Sequence, residues 1–243
     1  MCTLTYYPIN QNKFILGSSR DVTRDRVSAI SPRLYEKHQA LYPTDPQGGG
    51  TWWFSSKKGW SAVLLNGGFI NHTANPPYRM SRGQIMLELL NAHCPHEYLN
   101  NINLINIEPF TLILFDHRND VNLKKLVWDG EDKHLFELDP TVNHIWSSAT
   151  LYDPKQALAA KQWFNLFLQN NKTTNKDSVK AFHLDQQNSE LKYPIILDSP
   201  NHCSVSFTYI EIDKNSIDFE YHDLLDHSVH SSNIYWENIN AAP

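Results

Sequence analysis

Cysteine stands second in the chain, in Met1-Cys2-Thr3-Leu4. Methionine aminopeptidases remove an initiator that precedes a small residue, and the product then carries a thiol and a free α-amine on the same residue. The amine has an ordinary pKa of about 7.7–8.0 and the thiol of about 8.5. Such an amine is a base of useful strength beside its own nucleophile. It can take the thiol proton and later return it to a leaving amine. Cys2 is therefore the expected nucleophile. Ser19-Arg20-Asp21-Val22 supplies the charges the pair needs. Asp21 would hydrogen-bond the α-ammonium and orient it, and Arg20 would favour the thiolate. On residue types alone a second account stands beside this one: Cys2 as a small side chain on an edge strand, with Arg20 and Asp21 as a surface pair.

The elements must bring these residues together. Thr3–Tyr7 and Lys13–Ser19 are β-rich runs around the turn-like Pro8-Ile9-Asn10-Gln11-Asn12. They predict a hairpin that returns Arg20 and Asp21 to the chain start. Residues 22–49 read as polar and irregular. After Gly48-Gly49-Gly50, strands are expected over Thr51–Ser55 and Trp60–Leu65, the second ending at Asn66-Gly67-Gly68. Ser81 is the expected N-cap of a helix through about Asn91, followed by a short helix over Glu97–Asn101. Strands follow at Phe110–Phe115, Lys124–Trp128 and Leu135–Leu138, with Asp129-Gly130 as a tight turn, and a strand or strand-loop at Val142–Thr150. Asp153-Pro154 opens the clearest helix, with Leu158, Trp163, Leu166 and Phe167 at helical spacing. A further helix over Ser178–Asp185, strands over Ser204–Asp213 and Ser216–Tyr221, and a polar, irregular tail after Asp226 complete the pattern. Runs of strands separated by runs of helices disfavour a doubly wound parallel sheet. The expectation is one α+β domain over residues 1–243, with antiparallel sheets and two helical layers.

Other residue groups allow other chemistry. His93-Cys94-Pro95-His96 is dense in soft ligands, and a cysteine-proline pair flanked by histidine can hold haem iron through its thiolate. A helix stop with a buried cysteine and a proline breaker explains the same residues. No zinc set with a fourth ligand at suitable spacing is evident. His222, His227 and His230 read as solvated residues of the tail, and Cys203 as core. Trp52, Trp53 and Trp60 either line an apolar acyl pocket or pack the sheets.

Composition narrows the partners. The chain has 243 residues, 21 basic against 26 acidic, and a net charge of −5. That balance gives no reason to expect nucleic acid or an acidic membrane. No run approaches the roughly 20 apolar residues of a spanning helix. The start has neither a basic segment nor an apolar core, so no signal peptide is expected and the default location is the cytoplasm. Three widely spaced cysteines do not form a disulfide framework, which fits a reducing compartment.

Over most of its length the chain resembles the NRDE family, also called transport and Golgi organisation protein 2. The resemblance rests on Met1-Cys2-Thr3-Leu4, on Ser19-Arg20-Asp21-Val22 at the motif position, and on Gly49-Gly50-Thr51-Trp52-Trp53. It continues through Gly59-Trp60-Ser61-Ala62-Val63-Leu64-Leu65-Asn66 and Ser147-Ser148-Ala149-Thr150-Leu151. That family looks like the N-terminal-nucleophile hydrolases, so the resemblance implies a four-layer αββα sandwich. Cysteine members such as the penicillin V acylases and bile salt hydrolases cleave unactivated amides. Their pattern implies Cys2 as nucleophile and base, Asp21 as its orienter and Asn66 as an oxyanion donor. Ser148 stands where the family usually has asparagine and can still donate. The expected activity is hydrolysis of a linear, non-peptide amide with an apolar portion, without a cofactor. NRDE proteins have also been linked to haem trafficking. The alternative is thus a non-catalytic carrier of haem or another apolar ligand on the same fold, with His93, Cys94 and His96 as the candidate ligands. A domain with no small-molecule site is the third possibility.

Overall fold

In the computed structural model, which describes residues 3–171, 173–184 and 195–235, the first two strands show how the layers arise. β1 (Thr3–Asn10) and β2 (Lys13–Thr23) form the expected hairpin, with Thr3 opposite Ser19 and Tyr7 opposite Ile15. Successive strand side chains face opposite ways. Leu4, Tyr6, Phe14 and Leu16 therefore share one face, where they pack with Trp53, Val63, Ile113 and Phe115 of a second sheet. Tyr7 and Ile15 take the other face and pack with Phe164, Val179 and Phe182 from helices. A strand apolar on both faces belongs to an inner layer.

The remaining elements are β3 (Ile30–Tyr35), β4 (Ala40–Thr44), β5 (Trp53–Ser56), β6 (Trp60–Asn66), α1 (Arg82–Asn91) and α2 (Pro95–Asn101). They continue with β7 (Phe110–Asp116), β8 (Asn122–Trp128), β9 (Lys133–Leu138), β10 (His144–Ser147), α3 (Pro154–Asn170) and α4 (Lys176–Leu184). β11 (His202–Ile212), β12 (Ser216–Asp223) and β13 (Val229–Tyr235) close the series. One antiparallel sheet runs β10-β1-β2-β11-β12-β13 and the other β3-β4-β5-β6-β7-β8-β9. α1 and α2 cover the second sheet through Ile85, Met86, Leu89, Leu90 and Leu99. α3 and α4 cover the first. Three apolar clusters thus separate four layers in the order αββα, as the resemblance implied.

Local chemistry places the helix starts. Ser81 and Gln84 form a reciprocal capping box at α1, and Asp153 and Gln156 form one at α3, where Pro154 occupies the first turn. None of the described helices is long and apolar enough to cross a membrane.

Two expectations are corrected. Residues 22–49 are not irregular: they hold the end of β2 and all of β3 and β4. The segment after Asp226 carries β13, paired along its length with β12. Both β3 and β13 are edge strands; β13 is largely exposed, and β3 is mostly half-buried. Pro32 and Arg33 in β3 and the run His230-Ser231-Ser232-Asn233 in β13 leave no period-two hydrophobicity to read. Val142–Thr150, expected as a strand or strand-loop, holds the short strand His144–Ser147 with loop on either side. Asp185, the expected last residue of α4, lies outside the described residues.

Candidate active site

β2 runs on past Thr3, the first described residue of β1. Thr3 is flanked by Ser19 on β2 and Ser147 on β10, and Arg20 to Thr23 run on past it. There an open cavity of about 580 Å³ forms, lined by Arg20, Asp21, Asp45, Trp52, Asn66 and Arg82 among others. Cys2 lies outside the described residues; its neighbour Thr3 is fully buried.

Arg20 and Asp21 sit inside β2, not at its end, and adjacency on the strand sends them opposite ways. Arg20 shares the inner-face parity of Phe14 and Leu16. Its guanidinium lies 4.1 Å from the centroid of the Trp52 ring, and Nη2 donates to Asp45 Oδ2 at 3.2 Å. The same oxygen accepts from Arg26 at 2.7 Å, while Oδ1 accepts the N–H groups of Gln47 and Gly48, each at 3.1 Å. Burial pushes the Asp45 carboxyl up, but the Arg26 and Gly48 hydrogen bonds and both guanidinium charges outweigh it. The group is held below the usual carboxylate range. Burial likewise lowers the Arg20 guanidinium, with Asp45 opposing the shift.

Asp21 is buried, and its Oδ1 accepts a hydrogen bond from Ser204 Oγ on β11. Ser204 Oγ in turn accepts the Leu197 N–H at 2.8 Å. Asp21 pairs with Ser204 and Arg20 with Ser206, so Val205 is the extra residue of a β-bulge directly opposite the Arg20-Asp21 pair. Bulges bend a strand and re-aim its side chains, and they recur beside active sites.

Asn66 ends β6 on the facing sheet. Its carbonyl accepts a hydrogen bond from Ser148 Oγ at 2.7 Å, and that oxygen is also 3.0 Å from Thr150 Oγ1. Ser148 is fully buried and its proton goes to the Asn66 main chain; Thr150 and Leu151, not Ser148, line the cavity. Gly67 follows at φ +85°, and a side chain there would crowd Ala149 and Thr150. The Asn66 and Ser148 segments are thus locked together across 82 residues of sequence. The opposite wall is the start of α1, against which the 48–50 glycine run packs. A Cβ on Gly50 would meet the Gly83 carbonyl carbon at 2.2 Å, so only glycine admits this approach.

Several cavity residues were not legible in sequence. Arg26, Asp45, Arg82 and Glu108 are isolated charges in polar segments, and only the fold pairs Arg82 with Glu108 at 3.1 Å. His183, which does not line the cavity, was likewise not legible in sequence and is considered below. The His93-Cys94-Pro95-His96 group lies at the start of α2 in an outer layer and does not line the cavity. His96 Nε2 is 2.8 Å from Asp116 Oδ2, which also binds Arg118. Among the described residues, no three or more His, Cys, Asp or Glu side chains are arranged to hold a metal ion. Of the tryptophans, Trp52 lines the cavity, Trp53 lies between the sheets and Trp60 packs under α1. His222, expected in solvent, is largely buried beside Phe207 and Glu220.

The architecture is shared with solved structures. The penicillin V acylase of Agrobacterium tumefaciens superimposes with a TM-score of 0.59 at 14% identity, covering 96% of this chain and 86% of the other. The N-acylethanolamine-hydrolyzing acid amidase ortholog of Caenorhabditis elegans gives 0.53 at 11%, covering 86% and 92%. A variant of the conjugated bile acid hydrolase of Clostridium perfringens gives 0.55 at 9%, covering 96% and 92%. These likenesses establish a common fold, that of the N-terminal-nucleophile hydrolases. No curated protein sequence matches significantly. The model of the Transport and Golgi organisation 2 family matches residues 1–220, and the chain belongs to that family.

Proposed function

We propose that this chain is an amide hydrolase whose nucleophile is Cys2, exposed by removal of Met1, and that its substrate is a linear, non-peptide amide with an apolar portion. The observation that carries the proposal is the buried Asp21 carboxylate on the strand that runs past Thr3 into the cavity. Cys2 is joined to Thr3, and consecutive Cα atoms are about 3.8 Å apart. A carboxylate there would orient an α-ammonium and hold its charge.

The steps follow from the groups at hand. The α-amine of Cys2 takes the thiol proton, and the sulfur attacks the amide carbonyl carbon. The tetrahedral oxyanion accepts hydrogen bonds from the Asn66 side-chain amide and a backbone N–H. The α-ammonium then gives its proton to the amide nitrogen, the C–N bond breaks, and the amine leaves an acyl thioester on Cys2. Water, deprotonated by the same α-amine, attacks the thioester and releases the carboxylic acid and the thiol. Arg20 offers positive charge to the thiolate. Ser148 acts through Asn66, whose main chain it fixes. The reduced state this needs suits the cytoplasm, and Cys94 and Cys203 are both free thiols. N-terminal-nucleophile acylases and amidases among the fold neighbours support the reaction class.

A medium-chain acyl p-nitroanilide tests the proposal. Wild-type protein, shown by intact mass to lack Met1, is expected to release p-nitroaniline, and Cys2→Ala to lose at least about 10³-fold of that rate. Equal release by wild type and Cys2→Ala, or none by either across an acyl-length series, would reject it.

A further inference from the structure

His183 on α4 is fully buried, and its ring spans the hairpin that leads to the cavity. Nε2 is 2.8 Å from Thr5 Oγ1 on β1, and Nδ1 is 2.8 Å from Ser19 Oγ on β2. A neutral imidazole has one donor nitrogen and one acceptor, and each hydroxyl can take the complementary part. The sequence makes room for the ring at Gly17, where a Cβ would stand 2.6 Å from Nε2 and 2.7 Å from Cδ2. Phe207 of β11 closes the other side at 5.1 Å between ring centroids.

The gripped positions matter. Ser19 lies directly opposite Thr3 and two residues before Asp21, hence on the same face as Asp21. Thr5 lies two residues after Thr3 on the same strand. One imidazole therefore joins the strand that carries the chain start to the strand that carries the carboxylate, beside both. We infer that His183 is a positioning residue that fixes the start of β1 against Asp21 and thereby sets the reactivity of Cys2, an inference that rests on the hydrolase reading above. Burial alone depresses the ring to about 3, so it stays neutral and keeps its one-donor, one-acceptor pattern through the neutral range. A core histidine without this role would affect stability but not the titration of the Cys2 thiol.

The test is the pH dependence of iodoacetamide capture at Cys2, resolved by mass spectrometry and paired with a thermal melt of each variant. In His183→Leu, the capture midpoint is expected to move up by about one unit toward an ordinary thiol, with about tenfold slower capture at pH 7. His183→Gln, which can still bond both hydroxyls, is expected to restore most of the wild-type profile. Ser19→Ala keeps the ring and removes one grip; it should shift the profile the same way by less, and it decides the matter if His183→Leu does not fold. Folded variants with the wild-type profile would overturn the positioning role while leaving the hydrolase reading intact. An ordinary thiol profile in the wild type would overturn both.

Discussion

Asp21→Asn is expected to lower amide hydrolysis by about 10²–10³-fold while the protein remains folded, a loss in the range for an impaired general acid–base. The substitution keeps the shape and can still accept the Ser204 hydrogen bond, so the packing opposite the β-bulge survives. What it removes is the negative charge. In the proposed mechanism, the α-ammonium formed after thiol deprotonation would then lose its electrostatic partner, and the proton transfer that starts the reaction would become uphill. The loss should appear in kcat more than in KM, because the interaction grows as charge develops. Steady-state kinetics of the two proteins on the same p-nitroanilide check this. A variant within threefold of wild type would show that Asp21 only supports the fold.

The second large effect is on stability. The His183 pKa is depressed by burial to about 3, and that of His117 to about 4, where the Asp116 charge only partly opposes burial. An unfolded chain takes up protons at both rings near the ordinary value of about 6.5. Between 6.5 and the folded values the unfolded state thus binds more protons, and stability falls as pH falls. The contribution is fully present above pH 6.5 and is progressively lost toward pH 3. At about 1.4 kcal/mol per unit of displacement, each ring contributes on the order of a few kcal/mol in this direction. The lowered carboxyl groups of Asp45 and Asp116 act in the same direction at lower pH. Acid unfolding well above pH 3 is expected, and His183→Gln should be less stable at pH 7 yet show a shallower loss between pH 6.5 and 4. Urea melts across that range measure it; parallel slopes for the two proteins would contradict the account.

Much of the architecture was legible because it is written in local chemistry. The first hairpin, the helix starts at Ser81 and Asp153-Pro154 and the strands of the sheet interiors carry patterns that few other conformations satisfy. β3 and β13 were not legible, since Pro32 and Arg33 interrupt the first and His230, Ser231, Ser232 and Asn233 give the second the composition of a loop. The candidate site was legible only where it lies close in sequence. The Arg20-Asp21 pair follows from the hairpin, and Asn66 from the end of its strand. Asp45, which binds two arginines, and His183, which grips two strands, depend on contacts between residues 25 and 164 positions apart. No spacing rule reaches that far. Ser148 was expected to donate toward substrate, and its hydroxyl instead holds the Asn66 carbonyl. That outcome follows from β10 ending beside β1, which places Ser148 behind the cavity wall.

Site-resolved alkylation across pH examines the core of the mechanism with the least intervening inference. Processed protein should capture iodoacetamide at Cys2 well before Cys94 or Cys203 near neutral pH, with a midpoint below the ordinary thiol value, and a form that retains Met1 should lose that preference. Equal capture at all three thiols, or the same Cys2 midpoint with and without Met1, would mean that the α-amine does not activate the sulfur.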